Sequence, residues 1–242
     1  MTDDLSLAPE VVDEQVGAVR YTHADPWLAR RARRMGASDV PALLIAYDPR
    51  PEEVAAARRY HLDAAKRVQT RRGPMPLVIA RKAGLRKPQS MSATMTRGQR
   101  REVELLRRWS VGAREILEGS LVLASEMPGW ARHAIDHDCD ALAATLDAYA
   151  LDVLGDEVTV EAKCTRGAAE LYWYYRAQIQ AQLAVTGAST GVLVAGPEWG
   201  ACDSGGGDPV SWMVERDDRE IARIREVCRR GAADLARARE DV

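Results

Sequence analysis

Phenylalanine is absent from the 242-residue chain, and aromatic residues together make up only 5%. Trp, Tyr, Leu and Val must therefore fill whatever core the chain builds. Cysteine is scarce as well. Cys139, Cys164, Cys202 and Cys228 are scattered with no C-x-x-C pair, which excludes the usual spacing of a zinc site or an iron-sulfur cluster and leaves buried or redox-idle thiols. No stretch reaches about 18 uninterrupted apolar residues, so no membrane-spanning helix is expected. The opening Met1-Thr-Asp-Asp-Leu lacks the basic then apolar profile of a secretory leader, so a cytoplasmic location is expected. There is no internal repeat, and Gly205-Gly-Gly207 reads as a loop tip rather than a phosphate cradle.

What is present is ordinary in bulk and uneven in detail. Hydrophobic residues at 46% and charged residues at 29% suit a globular domain, and the length suits one α/β domain with an extension. The net charge of −2 hides a strong segregation. From Arg58 to Arg108, fifteen basic residues stand against three acidic ones, a net of +12 that leaves −14 for the remainder. A block of this kind on an otherwise acidic chain is the footprint of a polyanionic partner, with nucleic acid the first candidate.

Residues 1–25 read as a flexible polar arm and 26–242 as a single domain. Trp27 to Leu44 reads as a helix, a turn at Gly36-Ala-Ser38-Asp39, and a second helix capped there. Glu52 to Val68 reads as an Ala-rich helix, Arg71-Arg72-Gly73-Pro74 as a basic turn, Pro76 to Ala83 as a helix ended by Gly84, and Thr96 to Leu117 as a helix with a buried stripe at Val103, Leu106 and Trp109. Short β-like runs follow at Leu121 to Ala124, Ala143 to Leu151, Val158 to Thr165 and Thr190 to Ala195. The last two are separated by a helical stretch from Ala168 to Val185, and Asp217 to Arg239 closes the chain as an amphipathic helix. This order predicts a mixed sheet flanked by helices.

The run Val158-Thr-Val-Glu161-Ala-Lys163 poses the chemical question. Side chains alternate along a strand, so Val158, Val160 and Ala162 share one face while Glu161 and Lys163 share the other. A hairpin between Ala143–Leu151 and Val158–Thr165, turning near Leu154-Gly155, sets Asp147 opposite Glu161. Two carboxylates facing each other across a sheet repel, and a divalent cation offsets that repulsion. Asp147 and Glu161 as ligands, the carbonyl of Ala162 completing the shell, and Lys163 orienting a water form a constellation suited to phosphodiester hydrolysis with Mg²⁺ or Mn²⁺.

Asp147 followed by Glu161-Ala-Lys163 resembles the D...E-x-K core of the PD-(D/E)XK nuclease superfamily. The flanking segments are similar to its phage recombination branch, the lambda exonuclease or YqaJ-type viral recombinases. The similarity runs from about Trp27 to Gly196. It takes in Trp27-Leu-Ala-Arg-Arg31 with Gly36-Ala-Ser38-Asp39, Met75 to Gly84 with its K-x-G ending at Lys82, Gly98-Gln-Arg-Arg-Glu102, and Tyr174 to Gly187 with Gln178 and Gln182.

The resemblance implies a restriction-endonuclease-like α/β core, with Glu102 approaching a metal from a helix and Gln178 beside the active site. It implies a 5′-phosphate pocket at Arg31 and Ser38, and places Arg97, Arg100 and Arg101 on the DNA backbone. It also implies a Mg²⁺-dependent 5′ to 3′ exonuclease on linear double-stranded DNA, with two metals per site and Mn²⁺ able to substitute. The 3′ overhangs would feed a single-strand annealing protein in a bacterial or phage-infected host cell, and relatives form ring-shaped trimers, so a homo-oligomer is expected. Two departures stand out. Leu146-Asp147-Ala148 replaces P-D-G, leaving Asp138, Asp140 and Asp152 as substitutes for Asp147, and the Q-x-x-x-Y of the family ends here in Gln182. The rival readings are a related endonuclease, an iron-sulfur nuclease of the CRISPR-adaptation type, which the scattered cysteines disfavour, and an inactive DNA-binding protein of the same fold.

Overall fold

The computed structural model describes residues 11–12, 19–20, 31–59, 62–86, 93–113, 117–124, 126, 133–164, 172–196 and 209–240. The arm expected over 1–25 is therefore described only at β1 (Val11–Val12) and β2 (Val19–Arg20), which pair antiparallel. β3 (Met35–Gly36) leads through a 3₁₀ turn, Ala37–Asp39, into α1 (Val40–Tyr47), and α2 spans Pro51–Arg59. The Ala-rich stretch stops being helical there. After a second 3₁₀ turn at Asp63–Ala65, β4 (Arg67–Thr70) and β5 (Gly73–Pro76) form a two-stranded ribbon around the basic turn. α3 (Leu77–Lys82) follows directly, then α4 (Ala93–Gly112).

β6 (Leu117–Leu123), β7 (His133–Asp136), β8 (Cys139–Thr145), β9 (Ala148–Asp152) and β10 (Glu157–Lys163) come next. α5 (Tyr172–Thr186) crosses over to β11 (Thr190–Ala195), and β12 (Val210–Glu215) and α6 (Asp218–Arg239) complete the fold. The main sheet has the order β12-β11-β10-β9-β6. Only β10 and β11 run parallel in it, as a strand-helix-strand crossover requires. No helix among the described residues is long and apolar enough to cross a membrane.

The run expected as one strand from Ala143 to Leu151 is two strands in two sheets. β8 lies between β3 and β7 in a smaller sheet, whereas β9 belongs to the main one. The chain changes sheet at Leu146-Asp147, so Asp147 stands at a corner. Beyond it the anticipated hairpin is present in the anticipated register: Ala148 pairs with Val160, Tyr149 with Thr159 and Ala150 with Val158, around a turn that includes Gly155. β3 runs parallel to β8, with Gly36 beside Ala143.

Helices cover both faces of the main sheet. Val158, Val160 and Ala162 of β10 and Val192 and Val194 of β11 pack with Leu105, Leu106 and Trp109 of α4. On the other face Leu193 packs with Ile179 and Leu183 of α5 and with Ile221, Ile224 and Leu235 of α6. The stripe on α6 repeats at helical spacing, and its N-terminus is capped by Asp217, whose carboxylate accepts from the amides of Arg219 and Glu220. Burial on both faces explains why β10 and β11 carry so many branched aliphatic residues.

Candidate active site

The face of β10 that carries Glu161 and Lys163 is not a solvated one. It lies under α5, and Glu161 is 1% exposed. Each oxygen of its carboxylate is engaged. Gln178 Nε2 donates to Oε1, Lys163 Nζ pairs with the same oxygen, and Gln182 Nε2 donates to Oε2 at 2.6 Å. Gln178 and Gln182 are one helical turn apart, so α5 presents both amides to one carboxylate. Burial, and then the neighbouring charge of Asp147, push the Glu161 carboxyl up to about 7. Burial alone would lower the Lys163 ammonium, but Glu161, Asp147 and Glu102 outweigh it and hold that pKa above its ordinary value. Lys163 Nζ also stands 5.7 Å from the centre of the Tyr175 ring.

Asp147 reaches this cluster from the corner between the two sheets. Its Oδ2 accepts from the amide of Ala162 at 3.2 Å, and its carbonyl accepts from the amide of Ala124 at 2.8 Å. Ala162 directs its side chain into the opposite core, so only its backbone serves the site. The three other aspartates are committed elsewhere. Asp152 Oδ1 accepts from the amides of Leu154 and Asp156 at 2.8 and 2.9 Å in the hairpin turn, Asp140 pairs with Arg34, and Asp138 pairs with Arg225 at 2.9 Å.

Glu102, on α4, comes around the end of the sheet from the other side. The backbone of Cys164 hydrogen-bonds to it, and burial first, with Asp147 adding to it, raises its carboxyl above the ordinary value. Three carboxylates and one ammonium thus share a poorly solvated volume at the carboxyl end of β10.

A second cluster lies around Gly36. A methyl group built at this glycine would sit 3.7 Å from Ser38 Oγ, 3.8 Å from Arg31 Nη2 and 3.3 Å from Asp39 Oδ2. Arg31 and Ser38 therefore converge, and the missing side chain of Gly36 leaves the space between them. Asp39 Oδ2 accepts from the amide of Gly36 at 2.7 Å and pairs with Lys82 Nζ at 3.0 Å. Lys82 is a cation of this cluster that sequence reasoning left out, although it opens the K-x-G that ends at Gly84. Tyr174 spans the gap between the clusters. Its hydroxyl is pushed up to about 12 by burial, with Tyr175 and Asp39 raising it and Lys163 opposing.

Of the three arginines expected on the DNA backbone, Arg101 is partly exposed on α4, while the side chains of Arg97 and Arg100 lie outside the described residues. Gln182 stands where the resemblance implies a tyrosine, yet it is a direct partner of Glu161. The one-turn spacing of Gln178 and Gln182 was the signal that could have placed it there.

A mixed sheet with helices on both faces, an aspartate at a strand corner, and a Glu-x-Lys strand end define a PD-(D/E)XK-like α/β core. Solved structures carry the same fold. The chain is similar to an alkaline exonuclease, LHK-Exo from Laribacter hongkongensis, at 22% identity over 88% of this chain and 93% of that one, with TM-scores of 0.52 to its complex with dAMP and 0.51 to a second crystal structure of it. A phage-related exonuclease from Haemophilus somnus 129PT is similar over 84% of this chain and 93% of that one, with 12% identity and a TM-score of 0.56. No family model matches the chain, and no curated protein matches it.

Proposed function

We propose that the protein is a divalent-metal-dependent exonuclease that degrades linear double-stranded DNA from its 5′ end, leaving 3′ overhangs for strand-annealing recombination. One observation carries this reading: a fully buried Glu161 is held with Lys163 and Asp147 at a strand end, on the same scaffold as a cationic pocket at Arg31 and Ser38. Similarity of fold to exonucleases supports it.

The donor chemistry fits a hard cation. Asp147, Glu161 and Glu102 are oxygen donors, and the Glu161 carboxyl is raised by burial first and by the charge of Asp147 second, both of which a bound cation would offset. Among the described residues no three such side chains stand at coordinating spacing, so binding would require the carboxylates to draw closer together. Asp147, Glu161, Glu102 and the Ala162 carbonyl would hold Mg²⁺, or Mn²⁺ in its place. When bound, the metal supplies charge neutralisation and a more acidic water.

The residues of the chain do the rest. Lys163 stays protonated and stabilises negative charge at the phosphate under attack. Gln178 and Gln182 hold Glu161 in its rotamer. Arg31 and Ser38 bind the terminal phosphate through charge-assisted hydrogen bonds, which places the end of the strand relative to Asp147. A homo-oligomer, an annealing partner and a cytoplasmic setting complete the proposal.

The decisive experiment is digestion of linear duplex DNA with and without Mg²⁺, comparing 5′-phosphate with 5′-hydroxyl ends and including a closed circle. Metal-dependent loss from phosphorylated ends with the circle spared is expected. Cutting of the circle would indicate an endonuclease, and binding without cleavage an inactive relative. Lys163→Ala is expected to abolish cleavage while keeping DNA binding.

A further inference from the structure

The β4–β5 ribbon is an exposed two-stranded element that neither cluster uses. Its turn is Arg71-Arg72 followed by Gly73 at φ +113°, and both arginines are exposed. Arg71 and Arg86 line one concavity of about 530 Å³, whose other walls are Val68, Gln69, Thr70 and Leu85. Among the described residues no acidic one lines it. Among the described residues the guanidinium groups of Arg71 and Arg86 have no ion pair or hydrogen bond, the amide of Arg86 alone donating to the carbonyl of Ala80 at 3.2 Å. By contrast Lys66 and Arg81 are both engaged by Asp63, at 2.6 and 2.8 Å. Two desolvatable guanidinium groups facing one open groove, uncompensated by any carboxylate, form a site for two phosphates.

The position of the ribbon says which phosphates. β5 runs straight into α3, and α3 ends at Lys82 beside Asp39 and Gly36. Four strand residues at about 3.3 Å each and six helical residues at about 1.5 Å each put the turn at most roughly 22 Å from Lys82 along the chain. That distance equals about six base pairs at roughly 3.4 Å per step.

The geometry points to the β4–β5 ribbon as a duplex-phosphate clamp: Arg71 and Arg86 hold backbone phosphates of double-stranded DNA within about six base pairs of an end seated at Arg31 and Ser38. This rests on the exonuclease reading, and assigns the duplex contact to residues other than Arg97, Arg100 and Arg101. The contact is to phosphate alone, so it is independent of sequence.

The test measures binding without turnover. Fluorescence anisotropy of a labelled, 5′-phosphorylated duplex is followed against salt in the presence of a chelator, for the wild type, the double variant Arg71→Gln/Arg86→Gln, and Arg229→Gln on α6 as a charge control. A 5′-phosphorylated dinucleotide, which offers the end pocket its phosphate and no duplex, serves as the second ligand. The double variant is expected to flatten the slope of log K against log salt by about 2 on the long duplex, near 0.9 for each lost phosphate contact. It should bind the dinucleotide like the wild type, and Arg229→Gln should match the wild type on both. An unchanged slope on the long duplex, or an equal loss with Arg229→Gln, overturns the clamp and leaves the nuclease reading intact. Failure of the wild type to bind duplex DNA overturns both.

Discussion

Replacing Gln182 with methionine removes both ends of its amide while keeping an unbranched side chain of similar volume. The Nε2 that donates to Glu161 Oε2 at 2.6 Å is lost, and so is the buried Oε1, which has no hydrogen-bond partner. These losses oppose each other in stability: a hydrogen bond to a charged acceptor is worth about 1.5–3 kcal/mol, and an unsatisfied buried acceptor costs about 1–3 kcal/mol. The fold should therefore change little in stability. The carboxylate does not share in that cancellation. The amide favours its ionised form, so its removal raises the Glu161 carboxyl above about 7. At about 1.4 kcal/mol per tenfold change, the lost bond moves half-protonation by about one to two pH units. Near pH 7 the ionised fraction falls roughly five- to fifty-fold, and cleavage should fall with it, then recover toward wild type above about pH 9. The assay is the rate of duplex degradation across pH, with a thermal melt of each protein. A loss of the same factor at every pH would refute the argument and make Gln182 a packing residue.

Three further outcomes follow from the geometry. Glu161 titrates near 7 in the fold rather than at its ordinary 4.5, so its share of stability is fully present below pH 4.5 and is lost as pH rises through 7, a change of about 3 kcal/mol in metal-free protein. Mg²⁺ should therefore raise the melting temperature more at pH 8 than at pH 5, and an equal rise at both would count against Glu161 as a ligand. Gly191→Ala would bring a Cβ to 2.5 Å from Ile179 Cγ2 and 3.0 Å from Thr159 Oγ1, so α5 must lift and stability should drop by about 1–3 kcal/mol. A urea midpoint identical to wild type would show that α5 sits farther from the sheet. Gly36→Ala fills the space between Arg31 and Ser38 and should bring the rates on 5′-phosphate and 5′-hydroxyl ends toward equality, checked on the two substrates side by side.

Much of the site was legible because its chemistry is written at strand spacing. The alternation around Glu161 and Lys163 and the glycine turn at 155 fixed the hairpin register, which the ladder from Ala148 to Leu151 reproduces. The sheet change at Leu146-Asp147 was not legible, because Ala143 to Leu151 is equally apolar on both sides of the corner. Nor was the burial of Glu161. Which face of a strand a crossover helix covers depends on tertiary packing, which no local pattern encodes. β4 was hidden in an Ala-rich run whose helical propensity ends at Arg59, and tertiary pairing with β5 overrides it at Val68. β12 was missed although Val210-Ser-Trp-Met-Val-Glu215 is a plausible strand sequence, because Val210 and Met213 are exposed on an edge and blur the alternation.

The parallel pairing of β3 with β8 has a metric consequence. Gly36 is locked beside Ala143, two residues, or about 7 Å at about 3.3 Å per residue, before β8 ends at Thr145 and the chain turns through the corner that carries Asp147. In the proposed function, the spot that would grip a strand end and the spot that would sever it are thus marks on one ruler, and neither can slide without unzipping the ladder. The length of each excised piece would be dictated by backbone geometry rather than by the bases that pass over it, giving fragments of one size from any sequence.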